Sequence, residues 1–149
     1  MFTLRDAQQK DHGTLVAFNQ RMARETEDKD LDAVVLGKGV QRLLTDPACG
    51  RYFVAVSPTD EVIGQIMITT EWSDWRNGHF YWIQSVYVDP AARRQGVYKA
   101  LHHHVVAHAR DRGDIVGVRL YVEPHNTRAQ QTYNSLGMTK TYDLMEQSL

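Results

Sequence analysis

The spacing of apolar positions changes period along the chain, and each change marks an element. Phe2 to Arg5 reads as a short first strand. From about Lys10 to Arg24, Leu15, Phe18 and Met22 recur three to four apart, the spacing of one helix face. A polar stretch from Glu25 to Asp32 interrupts. Val35, Leu36, Val40, Leu43 and Leu44 then predict a second helix, closed at Asp46-Pro47 because a residue before proline avoids the α region. Strand signals follow: Tyr52 to Val56, a Ser57-Pro58-Thr59-Asp60 turn, Val62 to Thr70, an Asn77-Gly78 tight turn, and the aromatic-rich His79 to Val88, ended by Asp89-Pro90. A helix beginning near Gly96 carries Val97, Leu101, Val105 and Ala109 four apart, with Gly113 as its stop. Ile115 to Val122 reads as a strand, Thr127 to Leu136 as a helix ended by Gly137, and Met138 to Met145 as a final strand. The order β-α-α-β-β-β-α-β-α-β mixes hairpins with crossovers and predicts an α/β fold around a mixed sheet.

Composition narrows the class. At 149 residues, with no repeat or linker, the expectation is a single domain over 1–149. A content of 42% hydrophobic residues with almost no net charge argues against disorder. No stretch approaches the ~18 uninterrupted apolar residues of a membrane span. The N-terminus lacks the apolar core of a signal peptide, and Cys49 alone forms no internal disulfide or cysteine-based zinc site, so a cytoplasmic location is expected. With 17 Lys+Arg against 18 Asp+Glu, the chain lacks the basic balance of a nucleic-acid binder. A domain that handles a small molecule remains.

The stretch Val86-Tyr87-Val88-Asp89-Pro90-Ala91-Ala92-Arg93-Arg94-Gln95-Gly96-Val97-Tyr98-Lys99-Ala100-Leu101 is a strand, a polar turn, and then arginines and a glycine where a helix begins. Unpaired N–H groups and the positive dipole end of a helix suit a phosphate. A β-to-α connection with two surface arginines accounts for the same residues. With one glycine and no following Gly-Lys-Ser/Thr, the stretch is neither a dinucleotide fingerprint nor a P-loop.

This stretch resembles the acetyl-CoA motif of the GCN5-related N-acetyltransferases (GNAT), Arg/Gln-x-x-Gly-x-Gly/Ala, with Arg93 and Gly96 on its first two fixed positions. Tyr98 stands where the family has Gly or Ala. Downstream, Asn126, Ala129, Tyr133, Leu136, Gly137 and Met138 are similar to the family's Asn-x-x-Ala-x-x-x-Tyr-x-x-Leu-Gly-Phe signature. The resemblance covers the whole chain, although the family often ends in two strands and too few residues remain here for a full seventh. It implies a mostly antiparallel central sheet with helices on both faces. It also implies acetyl-CoA as co-substrate, a small-molecule or lysine-like primary amine as acceptor, and a homodimer by family habit. The coenzyme-binding set it implies is Val86, Val88, Arg93, Arg94, Gln95, Gly96, Val97, Tyr98 and Asn126.

Acetyl transfer to an amine needs a held thioester, a polarised carbonyl, a neutral amine and a proton for the leaving thiolate. By resemblance, the Val86 and Val88 amides face the pantetheine arm and thioester oxygen. Tyr133, on the helix of the second motif, is the candidate acid, since a phenol with a pKa near 10 holds a proton that a thiolate, near 8.5, can take. A core aromatic is the competing reading. A lysine-like amine is neutral only about once in ~2,500 at pH 7, so deprotonation needs help. Many family members carry Glu where Gln84 stands; Gln84 can orient a water, and Glu123 and Glu71 are the carboxylates expected nearby. Glu25, Glu27, Asp28, Asp30 and Asp32 against Arg24 and Lys29 make an acidic run, either a solvated loop or, with Trp72, Asp74, Trp75 and Tyr81, the wall of an acceptor site for an ammonium group. The assigned acceptor set is Glu27, Glu71, Trp72 and Trp75. His102-His103-His104 cannot chelate one ion from a helix, and His104 with His108 gives too few ligands for structural zinc. Two other classes stay open: a catalytically silent acyl-CoA-binding sensor, favoured by Gln84 and Tyr98, and a protein-interaction module using the aromatic hairpin.

Overall fold

The computed structural model describes residues 1–149. Five strands pair in chain order: β1 (Thr3–Asp6), β2 (Arg51–Val56), β3 (Val62–Ser73), β4 (Gly78–Val88) and β5 (Ile115–Leu120). All neighbours are antiparallel except β4 and β5, which are parallel. The helices are α1 (His12–Glu27), α2 (Ala33–Thr45), α3 (Val97–Arg112) and α4 (Thr127–Ser135).

Period-two alternation in β2 divides the core into two layers. Tyr52, Val54 and Val56 point to one face and pack with Leu15 of α1 and Val40 of α2. Phe53 and Ala55 point to the other and join Ile66, Ile68, Tyr81 and Ile83 under Val97, Leu101, Val105 and Ala109 of α3. The apolar stripe of α3 is thus the one its four-residue spacing predicts. Gly64 brings α3 close: a Cβ there would lie 2.9 Å from Val97 Cγ1 and 3.4 Å from Leu101 Cδ1. The first turn of α3 therefore rests directly on β3. Asp32 starts α2 by accepting from the Val34 and Val35 amides at 2.9 and 3.0 Å.

Three expectations are corrected. Met138–Met145 forms no strand, and the chain beyond Leu136 carries no regular element. Met138, Tyr142 and Leu144 share the parity of one strand face, yet the segment pairs with no neighbouring strand to cover that face, and Tyr142, Leu144 and Met145 are exposed. Asn77-Gly78 does not make a two-residue hairpin; a short 3₁₀ turn, Asp74–Arg76, precedes Asn77, which takes the left-handed conformation at φ 47°. Val35 does not face the core. It is exposed beside Val34, and Val40 is the buried residue of α2.

Candidate active site

The site begins where β4 leaves β5. Their pairing runs from His79↔Ile115 to Ile83↔Leu120 and stops, while β4 continues to Val88 against β3 alone. A bulge opposite Met67/Ile68 leaves Gln84 as the extra residue at this point. From Gln84 onward the outer edge of β4 faces no strand. A cleft of about 600 Å³ opens against that edge, lined by Val86, Tyr87 and Val88, by Met22, Glu25 and Thr26 of α1, by Arg93, Arg94 and Tyr98, and by Asn126, Ala129 and Tyr133 around α4. A second hollow of similar size lies on the outer surface of α2, lined by His12, Lys38 and Arg42, away from this edge.

The β4-to-α3 connection is shaped by its sequence. Asp89 accepts from the Ala91 amide at 3.0 Å, and Pro90 opens a short 3₁₀ turn, Pro90–Ala92. Arg94 and Gly96 both sit left-handed, at φ 64° and 79°. Gly96 is the N-cap of α3 and supplies no side-chain cap; the first helical hydrogen bond runs from the Ala100 amide to its carbonyl. The Val97, Tyr98 and Lys99 amides therefore precede the helical ladder, as the first turn of any helix requires.

The predicted binding residues divide sharply. Arg93 is occupied: Nε donates to the Val88 carbonyl at 3.0 Å, Nη2 to Glu25 at 2.9 Å, and the guanidinium lies 5.4 Å from the Tyr87 ring. Gln95 donates to the Ala91 carbonyl at 3.1 Å. Asn126 caps α4 by accepting from the Ala129 amide at 3.1 Å, while also lining the cleft. Arg94 forms no ion pair and is exposed at the mouth.

Tyr133 reaches the cleft from α4. Burial pushes its phenol above the ordinary tyrosine pKa, and the Tyr98 hydroxyl partly offsets that rise. The two rings are 6.1 Å apart, tilted at 59°. Burial, and then the Tyr133 phenol, push Tyr98 far upward, and its hydroxyl is out of contact with solvent with no aligned partner in the chain.

Other expected residues lie elsewhere. Gln84 is at the bulge and donates to Thr69 at 2.9 Å. Glu123 accepts from the His125 amide at 2.8 Å, and Glu71 pairs with Arg119 at 2.8 Å. Neither carboxylate lines the cleft. Trp72 packs edge-on against His79 at 5.0 Å, and Trp75 stands 89% exposed at the hairpin tip, so neither tryptophan walls the cleft. Of the acidic run, Glu25 is paired with Arg93 and with the Tyr87 hydroxyl, Asp30 with Arg24, and Asp32 caps α2. The side chains of Glu27 and Asp28 alone remain without an ion pair or capping hydrogen bond, although the backbone of Asp28, left-handed at φ 51°, ends α1 as its C-cap. His104 and His108 share a face, both against Phe53 at 4.7 and 5.2 Å.

Sequence reasoning missed three features. Glu25 ties the end of α1 to the coenzyme-motif loop through Arg93, although the two are far apart in sequence. Trp82 and Tyr121 stack at 4.5 Å beside Arg119, which lies 3.5 Å over the Phe80 ring. Tyr98 abuts Tyr133; its only signal was being large where a small residue is usual.

Comparison with known proteins decides the family. The model of the acetyltransferase (GNAT) family matches residues 5–138. The chain belongs to the GNAT acetyltransferase family. A protein described as a possible acetyltransferase from Clostridium difficile 630 is 45% identical, with a TM-score of 0.93 over 100% of this chain and 98% of that one. Two more distant structures share the GNAT fold. One, a transcriptional regulator from Bacillus halodurans C-125, has 18% identity and a TM-score of 0.84 over 100% of both chains. The other is AAC(6')-Iy in complex with the bisubstrate analogue CoA-S-monomethyl-acetylneamine, at 15% identity and a TM-score of 0.79 over 100% of this chain and 98% of that one. No curated protein matches significantly. As a GNAT protein the chain is an N-acetyltransferase, and none of its helices is long and apolar enough to cross a membrane.

Proposed function

We propose that this GNAT enzyme transfers an acetyl group from acetyl-CoA to a primary amine, of a small molecule or a lysine-like group, by direct attack. The observation that carries the reading is the open edge of β4 beyond Ile83 with the Tyr133 phenol across the cleft. Three features of the chain fit the coenzyme: an unpaired strand edge for its amide-bearing arm, an uncapped helix start at Gly96, and Arg94 at the mouth without an ion pair. The coenzyme supplies an activated acyl carbonyl and a thiolate leaving group.

The chain's residues do the rest. The Val86 and Val88 amides are the donors for developing charge on the carbonyl oxygen, where one donor is worth ~3 kcal/mol. Tyr133 keeps its proton through the neutral range, because its pKa is raised, and gives it to the sulfur. No carboxylate in the cleft is available as base, since Glu25 is held by Arg93 and Tyr87. The acceptor then reacts through its minor neutral form, which carries the deficit of ~4.6 kcal/mol at pH 7. Glu27 and Asp28, at the end of α1, favour a cationic acceptor.

The test is CoA titration followed by thioester consumption with a panel of amines, on the parent and on Tyr133→Phe. The reading expects turnover by the parent. It also expects kcat to fall by ~10²–10⁴ in the variant, with CoA affinity and Tm held. CoA binding without turnover would make the protein a silent acyl-CoA sensor, and no CoA binding would make it an interaction module.

A further inference from the structure

We infer that Tyr98 is a positioning residue for the acid, its hydroxyl donating a hydrogen bond to the Tyr133 oxygen as that phenol gives up its proton. The inference rests on Tyr133 acting as the acid. Tyr98 is the second residue of α3, two after Gly96, and the seating of the first turn on Gly64 fixes where its ring lies. The ring lines the same cleft as Tyr133, 6.1 Å from it. Its hydroxyl is shut off from water without a hydrogen bond of ordinary geometry. A phenylalanine would fill the same space without that cost, so packing does not explain the oxygen.

The direction of the interaction follows from the surroundings. Tyr98 is pushed so far up by burial and by Tyr133 that it keeps its proton at every working pH, and so it is the donor. Tyr133 is raised by burial, and Tyr98 is the group that pulls it back down. Transfer from an ordinary phenol, pKa about 10, to a thiolate whose conjugate acid is near 8.5 is already uphill by roughly 30-fold, and burial makes it steeper. A donor aimed at the phenolate flattens that step. In balance, the Tyr133 O–H bond breaks and an S–H bond forms on the departing thiolate. The negative charge rests on the Tyr133 oxygen while Tyr98 retains its own proton. The proton released by the acetylated amine then restores Tyr133 through solvent. The positive end of α3, where Tyr98 sits, favours the same charge.

The experiment is Tyr98→Phe, read in two ways. Fluorotyrosine labelling brings the phenols into an accessible pH range, and ¹⁹F NMR, with the resonance assigned by Tyr133→Phe, follows the Tyr133 titration without any turnover. The expected result is a Tyr133 titration at higher pH in the variant, with Tm unchanged or raised. In steady state, kcat should fall by about tenfold and its alkaline limb should move to higher pH, with the KM for acetyl-CoA unchanged. An unshifted Tyr133 titration in a folded variant overturns the inference whatever the activity, and so does a kcat profile identical to the parent's. If the parent turns over no amine, the acetyltransferase reading fails separately, and the titration still decides whether Tyr98 tunes Tyr133.

Discussion

Replacing Gly96 separates backbone strain from coenzyme binding, because α3 carries its own control. Gly96 and Gly113 flank the helix, both left-handed at φ 79° and 77°, and an added Cβ at either meets nothing within 4 Å. Gly96→Ala and Gly113→Ala should therefore each lose ~1–2 kcal/mol of stability, the cost of a left-handed alanine. In a chain of 149 residues that is a Tm drop of about 3–6 °C by calorimetry. Gly96→Glu adds a carboxylate at the helix start. At about 6 Å from a pyrophosphate charge, its repulsion is ~1–3 kcal/mol across effective dielectrics of about 80 to 20. CoA Kd, measured calorimetrically, should rise about 5- to 150-fold for Gly96→Glu and stay at the parent value for Gly113→Ala. If Gly96→Glu matches Gly113→Ala in Kd while losing the same Tm, the start of α3 does not hold the pyrophosphate. The glycine would then serve the turn alone.

Two further outcomes follow from ionised groups. Since Glu27 and Asp28 are the acids of the loop with no committed partner, Glu27→Gln with Asp28→Asn should raise KM several-fold for cationic amines and leave neutral ones unchanged, and equal effects on both would remove these acids from acceptor selection. Arg51 donates to His108 Nε2 at 3.0 Å, so the ring proton is on Nδ1 and donates to Tyr81 at 2.9 Å. Burial first, and then Arg51, hold the folded His108 pKa below its ordinary value, with Asp6 opposing. The folded state then binds fewer protons than the unfolded one. The neutral-His contribution is complete above about pH 6.5 and is lost as pH falls from there through the depressed folded value. Urea titrations from pH 7 to 5 should show a stability loss that is smaller in His108→Gln, and equal slopes would refute the assignment.

The elements that sequence patterning located best are those with one clean pattern. The four-residue stripe of α3 buries what its spacing predicts, and the unbroken apolar run Tyr52–Val56 of β2 is buried on both faces, each covered by its own layer. The C-terminal segment failed because a local strand pattern says nothing about whether a neighbouring strand is there to pair with it. At the site, the loop containing Gly96 was legible because its conformation is a local property. The partners of Arg93 and Glu71 were not, since each is chosen by a residue distant in sequence that only the fold brings near. Trp72 and Trp75 lie away from the cleft for a related reason. Hairpin membership fixes which strand a residue is on, but the face it presents depends on register.

The parallel seam between β4 and β5 has a consequence for how the molecule breathes. β2, β3 and β4 form an antiparallel meander joined by short turns, whereas β1 reaches β2 only after α1 and α2, and β5 reaches β4 only after the whole of α3. Pairings closed through a long connection are entropically the slowest to form, and the parallel pairing is slightly weaker per residue. The cleft begins at the end of the one parallel seam of the sheet, and a ligand bridging the free edge of β4 to α3 and α4 acts as a clasp beside it. Its stabilisation, RT ln(1 + [L]/Kd), should be concentrated in the amide-exchange protection of β5 and α4 and should leave β2 and β3 nearly as they were. The cellular supply of co-substrate would then set the lifetime of one half of the protein more than the other.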